Sequence, residues 1–191
     1  GIGVGTNEVG VEWIDPGESS ALGCEHEDRG TRAGDEVVQV RRREGRHMPV
    51  GLQGLEERDG ALIRLSWGVR GGRDETPVLQ EARRQLAAYF AKTLTTFDLP
   101  LAPPGPAFHR DVWAALCRIP FGQTKTYGDL AFELGAVARA VGQACGANPV
   151  PIVVPCHRII ANGGLGGFAH KDKGFPLNVK HWLLLHEQRQ W

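Results

Sequence analysis

Apolar positions fall into short blocks whose period changes along the chain, and those changes lay out the elements. Ala61-Leu62-Ile63-Arg64-Leu65-Ser66-Trp67 has strand character and follows the turn signal Arg58-Asp59-Gly60. Residues 52–67 are therefore predicted to form a β-hairpin, followed by a Gly-rich loop at 68–72. Leu79, Ala82, Leu86, Tyr89 and Phe90 then recur at helical spacing. Thr76-Pro77 offers an N-cap and a first-turn proline, so a helix is expected over about 77–92. Four prolines and a glycine in 99–106 read as an extended linker and mark a domain boundary. A helix starting near Pro106 buries Phe108, Val112, Trp113 and Leu116 and is stopped by Pro120. Thr126-Tyr127-Gly128-Asp129 resembles a capping box that opens a short helix through Leu134, closed by Gly135. A second short helix runs over about 137–145 and ends at Gly146, so the pair reads as a helix-turn-helix. The last helix, 179–190, carries Val179, Trp182, Leu183 and His186 on one face, with Glu187 near its end.

The stretch with the most chemistry is Pro149-Val150-Pro151-Ile152-Val153-Val154-Pro155-Cys156-His157-Arg158-Ile159-Ile160. Its β-branched run predicts a strand over 152–154 that ends at Pro155, because proline fixes φ and biases the residue before it to extended geometry. Cys156 then stands at the strand's exit on stiff backbone, beside charged neighbours that could favour the thiolate. Two readings are open: a nucleophile with a nearby histidine, or a small buried hydrophobe.

Composition narrows the setting. The 191 residues allow one large or two small domains, and 41% hydrophobic content is ordinary for a soluble protein. Apolar runs are too short to span a bilayer, no charged-then-apolar leader opens the chain, and Gly1 points to a processed start or an added remnant. Cys24, Cys117, Cys145 and Cys156 lie far apart with no C-x-x-C pair, which favours free thiols in a reducing compartment. Net charge is zero, but residues 105–191 hold nine Lys and Arg against five Asp and Glu, a mildly basic part.

Several features stay ambiguous from residue types alone. Residues 1–50 hold no lasting period. Arg41-Arg42-Arg43, with Arg46 and His47, is either a nucleic-acid patch or a solvated loop or edge strand. Cys24 and His26 lack a second pair at zinc spacing, so no metal is expected there. The second helix of the pair is nearly bare: Ala138, Ala140, Gly142 and Ala144 leave Arg139 its lone large charge. Such a helix brings its backbone close either to another helix or to a nucleic-acid groove. Asn162-Gly163-Gly164-Leu165-Gly166-Gly167 lacks the Lys-Ser or Lys-Thr of a phosphate loop and reads as a mobile lid or flexible connector. Glu187 opposes the helix dipole, as a solvated surface residue or for a reason elsewhere in the fold.

Pro155-Cys156-His157-Arg158-Ile159-Ile160 resembles the active-site signature of the O6-alkylguanine-DNA alkyltransferases. Phe97-Asp98-Leu99-Pro100, Val112-Trp113, Tyr127-Gly128-Asp129-Leu130-Ala131, Ala138-Arg139-Ala140-Val141-Gly142, Asn148-Pro149-Val150-Pro151 and Trp182-Leu183-Leu184-Leu185-His186-Glu187 resemble further family motifs, in family order. The resemblance implies an α+β protein: a variable N-terminal antiparallel-sheet domain over 1–100, then a mostly helical domain over 105–191 that binds DNA and accepts the alkyl group. It implies irreversible, single-turnover transfer from O6 of guanine, and from O4 of thymine, to Cys156, without a cofactor or metal. His157 would take the thiol proton through a water and Glu187 would orient it. Tyr127 would donate to the base, with backbone amides near Phe168 and Ala169 serving O6.

The target nucleotide must leave the stack, and Arg139 matches the finger that fills its place. Ala138, Ala140, Gly142 and Ala144, with Thr126 and Tyr127, would meet the minor groove of double-stranded DNA with little sequence specificity. Asn148 matches the brace of the cysteine turn. Pro151, Arg158, Ile159, Leu165, Gly166, Phe168 and Ala169 complete the expected substrate pocket. A monomer in the cytoplasm (the nucleus in a eukaryote) is expected. Two departures bear on substrate range: Phe168 and Ala169 replace the tyrosine and serine of many members, and residues 170–176 are longer and more charged than the usual link. Two rivals make other predictions. A cysteine hydrolase would turn over repeatedly, and a lesion sensor without repair activity would not need Cys156.

Overall fold

The computed structural model describes residues 4–6, 12–14, 32–34, 52–67, 76–171 and 174–188. The basic run 41–43, Arg46, His47, Cys24, His26 and the loop at 68–72 lie outside them. The fold is α+β, and the chain divides into two compact units, with the division after Pro104.

The first unit contains a strand pair, β1 (Val4–Thr6) with β2 (Glu12–Ile14), and a three-stranded antiparallel sheet of β3 (Arg32–Gly34), β4 (Leu52–Arg58) and β5 (Ala61–Trp67) in that order. The predicted hairpin is β4–β5. Its turn places Asp59 at φ 51° and Gly60 at φ 80°, the doubly left-handed geometry that matches strand twist. Glu57 accepts the Gly60 N–H at 3.1 Å. Helix α1 (Pro77–Phe90) starts as expected, with Thr76 Oγ1 accepting from the Leu79 amide and Pro77 in the first turn. It ends two residues early, where Lys92 turns to φ 62°. Its stripe of Leu79, Ala82, Leu86, Tyr89 and Phe90 is buried, and so is Gln85, whose amide pairs reciprocally with the Asp98 backbone at 2.6 and 2.8 Å.

The start of the proline-rich stretch is not a free linker. Leu62 donates to Pro100 O at 2.8 Å and accepts from the Ala102 amide at 3.1 Å, so Leu101 lies alongside β5 and is buried with Leu99. Prolines are tolerated there because Leu62 and Ala102 supply both donors of this edge contact.

The second unit packs short helices around one small parallel sheet. In α2 (Ala107–Cys117), Val112, Trp113 and Leu116 are buried as expected, whereas Phe108 is only half-buried. The Trp113 indole donates to Ala144 O at 2.8 Å and ties α2 to α4. Strand β6 (Lys125–Thr126) leads into α3 (Tyr127–Glu133), whose capping box is complete: Thr126 and Asp129 exchange two 3.1 Å bonds. Gly135, at φ 60°, turns the chain into α4 (Ala138–Gly146), which completes the helix-turn-helix. Within α4, Val141, Ala144 and Cys145 are buried while Ala138, Arg139 and Gln143 are exposed. Ala144 is therefore part of the packing against α2 rather than of an open bare face. Strand β7 (Ile159–Ile160) pairs in parallel with β6. Helix α5 (Phe175–Gln188) begins four residues before the expected start, since Pro176 needs no donor in a first turn. Among the described residues, no helix is long and apolar enough to cross a membrane.

Candidate active site

The parallel register of β6 and β7 fixes the site. Thr126 sits across from Ile160, so Tyr127 leaves β6 beside the exit of β7, while Cys156, His157 and Arg158 form the turn that leads into β7 at its other end. The predicted strand at 152–154 is absent. Pro151 bridges Val154 around a tight turn in which Ile152 takes φ 75°. Prolines at 149, 151 and 155 remove the donors a ladder needs, and the Asn148 side chain supplies a local alternative. Its oxygen accepts from the Val150 amide at 3.0 Å, and its nitrogen donates to Val154 O at 2.8 Å and to Cys156 Sγ at 3.1 Å. A β-branched residue at positive φ costs about 1–3 kcal/mol, so this turn holds backbone strain directly before the cysteine. Cys156 opens a single 3-10 turn, Cys156–Arg158.

The cysteine is 5% exposed, and burial pushes its thiol up to about 11, against the opposing pull of the Asn148 amide and the Lys180 charge. The neighbouring charges do not make a resting thiolate. Arg158, expected in the pocket wall, turns its guanidinium beneath the site instead. It holds Glu187 with two nitrogens at 2.9 and 3.0 Å and donates to Ile119 O at 2.5 Å.

Glu187 is the hub. It is 1% exposed and accepts from both Arg158 nitrogens, from the Gly122 amide at 3.0 Å and from His157 Nε2 at 2.7 Å. Burial alone would raise its carboxyl, but the hydrogen bonds from His157 and Arg158 and the Arg158 charge outweigh it and hold Glu187 ionised. Its place at the helix end is thus set by tertiary partners rather than by the dipole. His157 is fully buried and desolvation lowers it, with Arg158 and Lys180 adding to the effect against the pull of Glu187. It is therefore neutral. An ionised Glu187 can only accept, so His157 carries its proton on Nε2 and leaves Nδ1 as the acceptor: Nδ1 is buried with no hydrogen-bond partner among the described residues.

Over Cys156 opens a cleft of about 730 Å³. Helix α4 lines one side with Ala138, Arg139, Gly142, Gln143, Cys145 and Gly146, and the other side is Tyr127 and residues 167–171. The expected site residues thus separate into groups. Cys156, Tyr127, Arg139, Ala138, Gly142, Phe168 and Ala169 meet in the cleft, while Thr126 caps α3 and Ala140 is half-buried. Asn148, Pro151, Arg158, Ile159, Leu165 and Gly166 do not line the cleft, though Asn148 bonds the Cys156 sulfur. Burial raises Tyr127 to about 12, so its hydroxyl stays protonated and donates to Gly167 O at 3.1 Å.

The Gly-rich segment is not a loose lid. Ala161 and Gly164 exchange backbone bonds, and so do Phe168 and Lys171, giving two consecutive tight turns. The second turn holds Ala169 at φ 49° and His170 at φ 58°, and His170 packs on Gly146, where any Cβ would come within 2.5 Å of the ring. The Phe168 amide is spent on this turn.

Sequence reasoning missed Gln143, His170, Lys171 and above all Lys180, a lysine with no exposed surface. Its position among Val179, Leu183 and Leu184 on the buried face of α5 was the available signal. Among the described residues, no cluster of three or more His, Cys, Asp or Glu side chains is placed to hold a metal ion.

Residues 107–189 match the family model of the 6-O-methylguanine DNA methyltransferase DNA-binding domain. A methylated-DNA–protein-cysteine methyltransferase of Mycolicibacterium paratuberculosis is 45% identical over 151 residues, 74% of this chain and 88% of that protein. The chain belongs to this family. The enzyme of the same name from Methanosarcina acetivorans is 50% identical over 108 residues, 55% of this chain and 66% of its relative. The crystal structure of the Mycobacterium tuberculosis O6-methylguanine methyltransferase matches with a TM-score of 0.66 at 33% identity, covering 82% of this chain and 93% of that one. A structure of the M. tuberculosis protein in complex with DNA matches with a TM-score of 0.61 at 38% identity, covering 72% and 88%. This methyltransferase family is the one whose signature the sequence motifs resemble.

Proposed function

We propose that this chain repairs alkylated DNA by moving the alkyl group from O6 of guanine, and from O4 of thymine, onto Cys156. The observation that carries the reading is the His157–Glu187 contact at 2.7 Å, with Glu187 held ionised by Arg158 and His157 Nδ1 left to accept. In the reaction Cys156 Sγ attacks the alkyl carbon, the S–C bond forms and the C–O6 bond breaks. The thiol proton passes through a water to His157 Nδ1, and the imidazolium so formed is stabilised by Glu187. Guanine leaves with the bond pair and takes up a proton in exchange for the one the thiol lost.

Tyr127 turns its hydroxyl from Gly167 O to donate to the departing base, and the Ala169 amide, which the turn does not use, serves O6. The thioether is stable, so each molecule reacts once. Keeping the thiol protonated at rest reserves the sulfur for a substrate that fills the cleft and draws the proton toward His157. The damaged base enters the cleft only when flipped from the stack, and Arg139 fills the space it leaves. The small surface of Ala138, Ala140 and Gly142 suits the minor groove, whose degenerate pattern makes binding largely independent of sequence. The protein acts as a monomer in the cytoplasm. Duplex DNA carrying O6-methylguanine is expected to add one methyl mass to the Cys156 peptide, in a single turnover. An unmodified peptide or repeated turnover overturns the reading.

A further inference from the structure

Lys180 has no place in the proton path from Cys156 to His157, yet its amine touches Gly167 in the cleft wall and faces the Tyr127 ring. The side chain is fully buried on α5, and Nζ donates to two carbonyls, Ile159 O at 2.6 Å and Gly167 O at 2.9 Å. Ile159 belongs to β7, the strand that leaves the nucleophile's turn, and Gly167 belongs to the loop that walls the cleft. Gly167 O also accepts from Tyr127, and Nζ stands 5.7 Å from the Tyr127 ring centroid. Among the described residues, no carboxylate is in contact with it. A buried ammonium without a carboxylate is costly, and proteins keep one chiefly where its charge acts on chemistry.

We propose that Lys180 is a positioning residue for the transfer: it clamps the strand behind the nucleophile to the cleft loop and gives the Cys156 thiolate its fixed counter-charge. This rests on the alkyl-transfer reading for its biological sense, but not for its geometry. The ionisable groups facing Lys180 are Cys156 and His157 on the turn, Cys145 on α4 and Tyr127 on α3. Desolvation lowers the lysine to about 8, offset by the two thiols, so it is still mostly charged at neutral pH. The coupling is mutual, since the lysine charge pulls the Cys156 thiol down. Lys180 thus supplies the favourable charge expected from the cysteine's chain neighbours, of which Arg158 commits its guanidinium to Glu187.

Two variants separate clamp from charge. Lys180→Met removes both, and Lys180→Gln keeps amide donors without the charge. Cys156 labelling by iodoacetamide, read on its own peptide between pH 7 and 10.5, is compared with methyl transfer from an O6-methylguanine duplex and with thermal unfolding. Both variants are expected to label and transfer at least tenfold more slowly at pH 7.5, with the rise of labelling across this range moved to higher pH. Lys180→Gln should unfold closer to the wild type than Lys180→Met does. Rates within twofold of wild type, or lowered melting temperatures with an unmoved labelling profile, overturn the proposal. Should Lys180→Met fail to fold, the Lys180→Gln profile alone decides. A wild type that labels in a Lys180-dependent way but takes no methyl from DNA sinks the repair reading and leaves this one standing.

Discussion

Arg158 grips Glu187 with two nitrogens, at 2.9 and 3.0 Å, where the two side chains are 6% and 1% exposed. The residue two places after the nucleophile thereby joins His157 in holding Glu187, the residue that orients the imidazole, in its ionised form. Removing one partner of a buried ion pair strands the other, at a cost of about 3–5 kcal/mol. Arg158→Ala is expected to lose stability of that order in urea unfolding and to slow transfer, because Glu187 is left with only His157 and the Gly122 amide and is no longer fixed in place. Arg158→Lys should recover only part of both, since an ammonium cannot make the two-nitrogen contact. Wild-type stability in either variant would show the pair to be dispensable.

The same network fixes the response to acid. His157 is depressed by burial, so below about 6.5 the unfolded chain binds a proton that the native state refuses, and stability begins to fall. Glu187 is depressed by His157 and Arg158 despite its burial, so its contribution is fully present above about 4.3 and drains away as pH falls further, toward its folded value. Urea midpoints measured from pH 8 to pH 3 should decline in these two stages. Glu187→Gln should be less stable at pH 7 and show a shallower decline below about pH 4.3; an unchanged slope there would detach Glu187 from the acid response.

How far the sequence reached depends on whether an element is specified locally. The Thr76-Pro77 start of α1, the Thr126–Asp129 box and the Asp59-Gly60 turn all formed where their own residues direct, because each is satisfied within a few positions. The strand at 152–154 failed because the Asn148 side chain outbids a ladder that the prolines had already stripped of donors. The linker at 99–106 was misread at its start, since two leucines outweigh the prolines between them. Arg158 and Lys180 show the limit most plainly. The first has neighbours that suggest thiolate chemistry and the second has neighbours that suggest core, and in the fold the two roles are exchanged. Contacts separated by 29 and 21 positions decide both, and no local pattern encodes them.

Asn148 links the strained turn to the sulfur. Asn148→Ala removes the 3.1 Å donor to Sγ and both bonds that close the turn. A hydrogen bond to a charged group contributes about 1.5–3 kcal/mol, so transfer should slow by roughly 10- to 100-fold once the thiolate loses it. Cys156 labelling by iodoacetamide at pH 8 should slow in parallel, because the thiol rises further. An unchanged labelling rate would mean that Asn148 only shapes the backbone.

Gly166 is required by a ring rather than by the substrate. At φ 67°, its Cβ would stand 2.9 Å from Tyr127 Cε2 and 3.2 Å from the Ala161 amide. Gly166→Ala is expected to cost about 1–3 kcal/mol in backbone strain and to push the Tyr127 ring from its contact with Gly167 O. Transfer should fall while unreacted Cys156 still labels at a near-normal rate. Equal losses in both would place the damage at the sulfur instead.

Arg139 is exposed on α4 at the rim of the cleft that Cys156 floors, with Ala138 beside it and Gly142 one turn on. If its side chain replaces the flipped nucleotide in the stack, it matters only when there is a stack to leave. Arg139→Ala should therefore slow methyl transfer from duplex DNA by tenfold or more and leave transfer from the free base, O6-methylguanine, within about twofold. The ratio of the two rate constants is the measurement. Equal losses on duplex and free base would make Arg139 a wall of the pocket, and an unaffected duplex rate would remove it from the repair step.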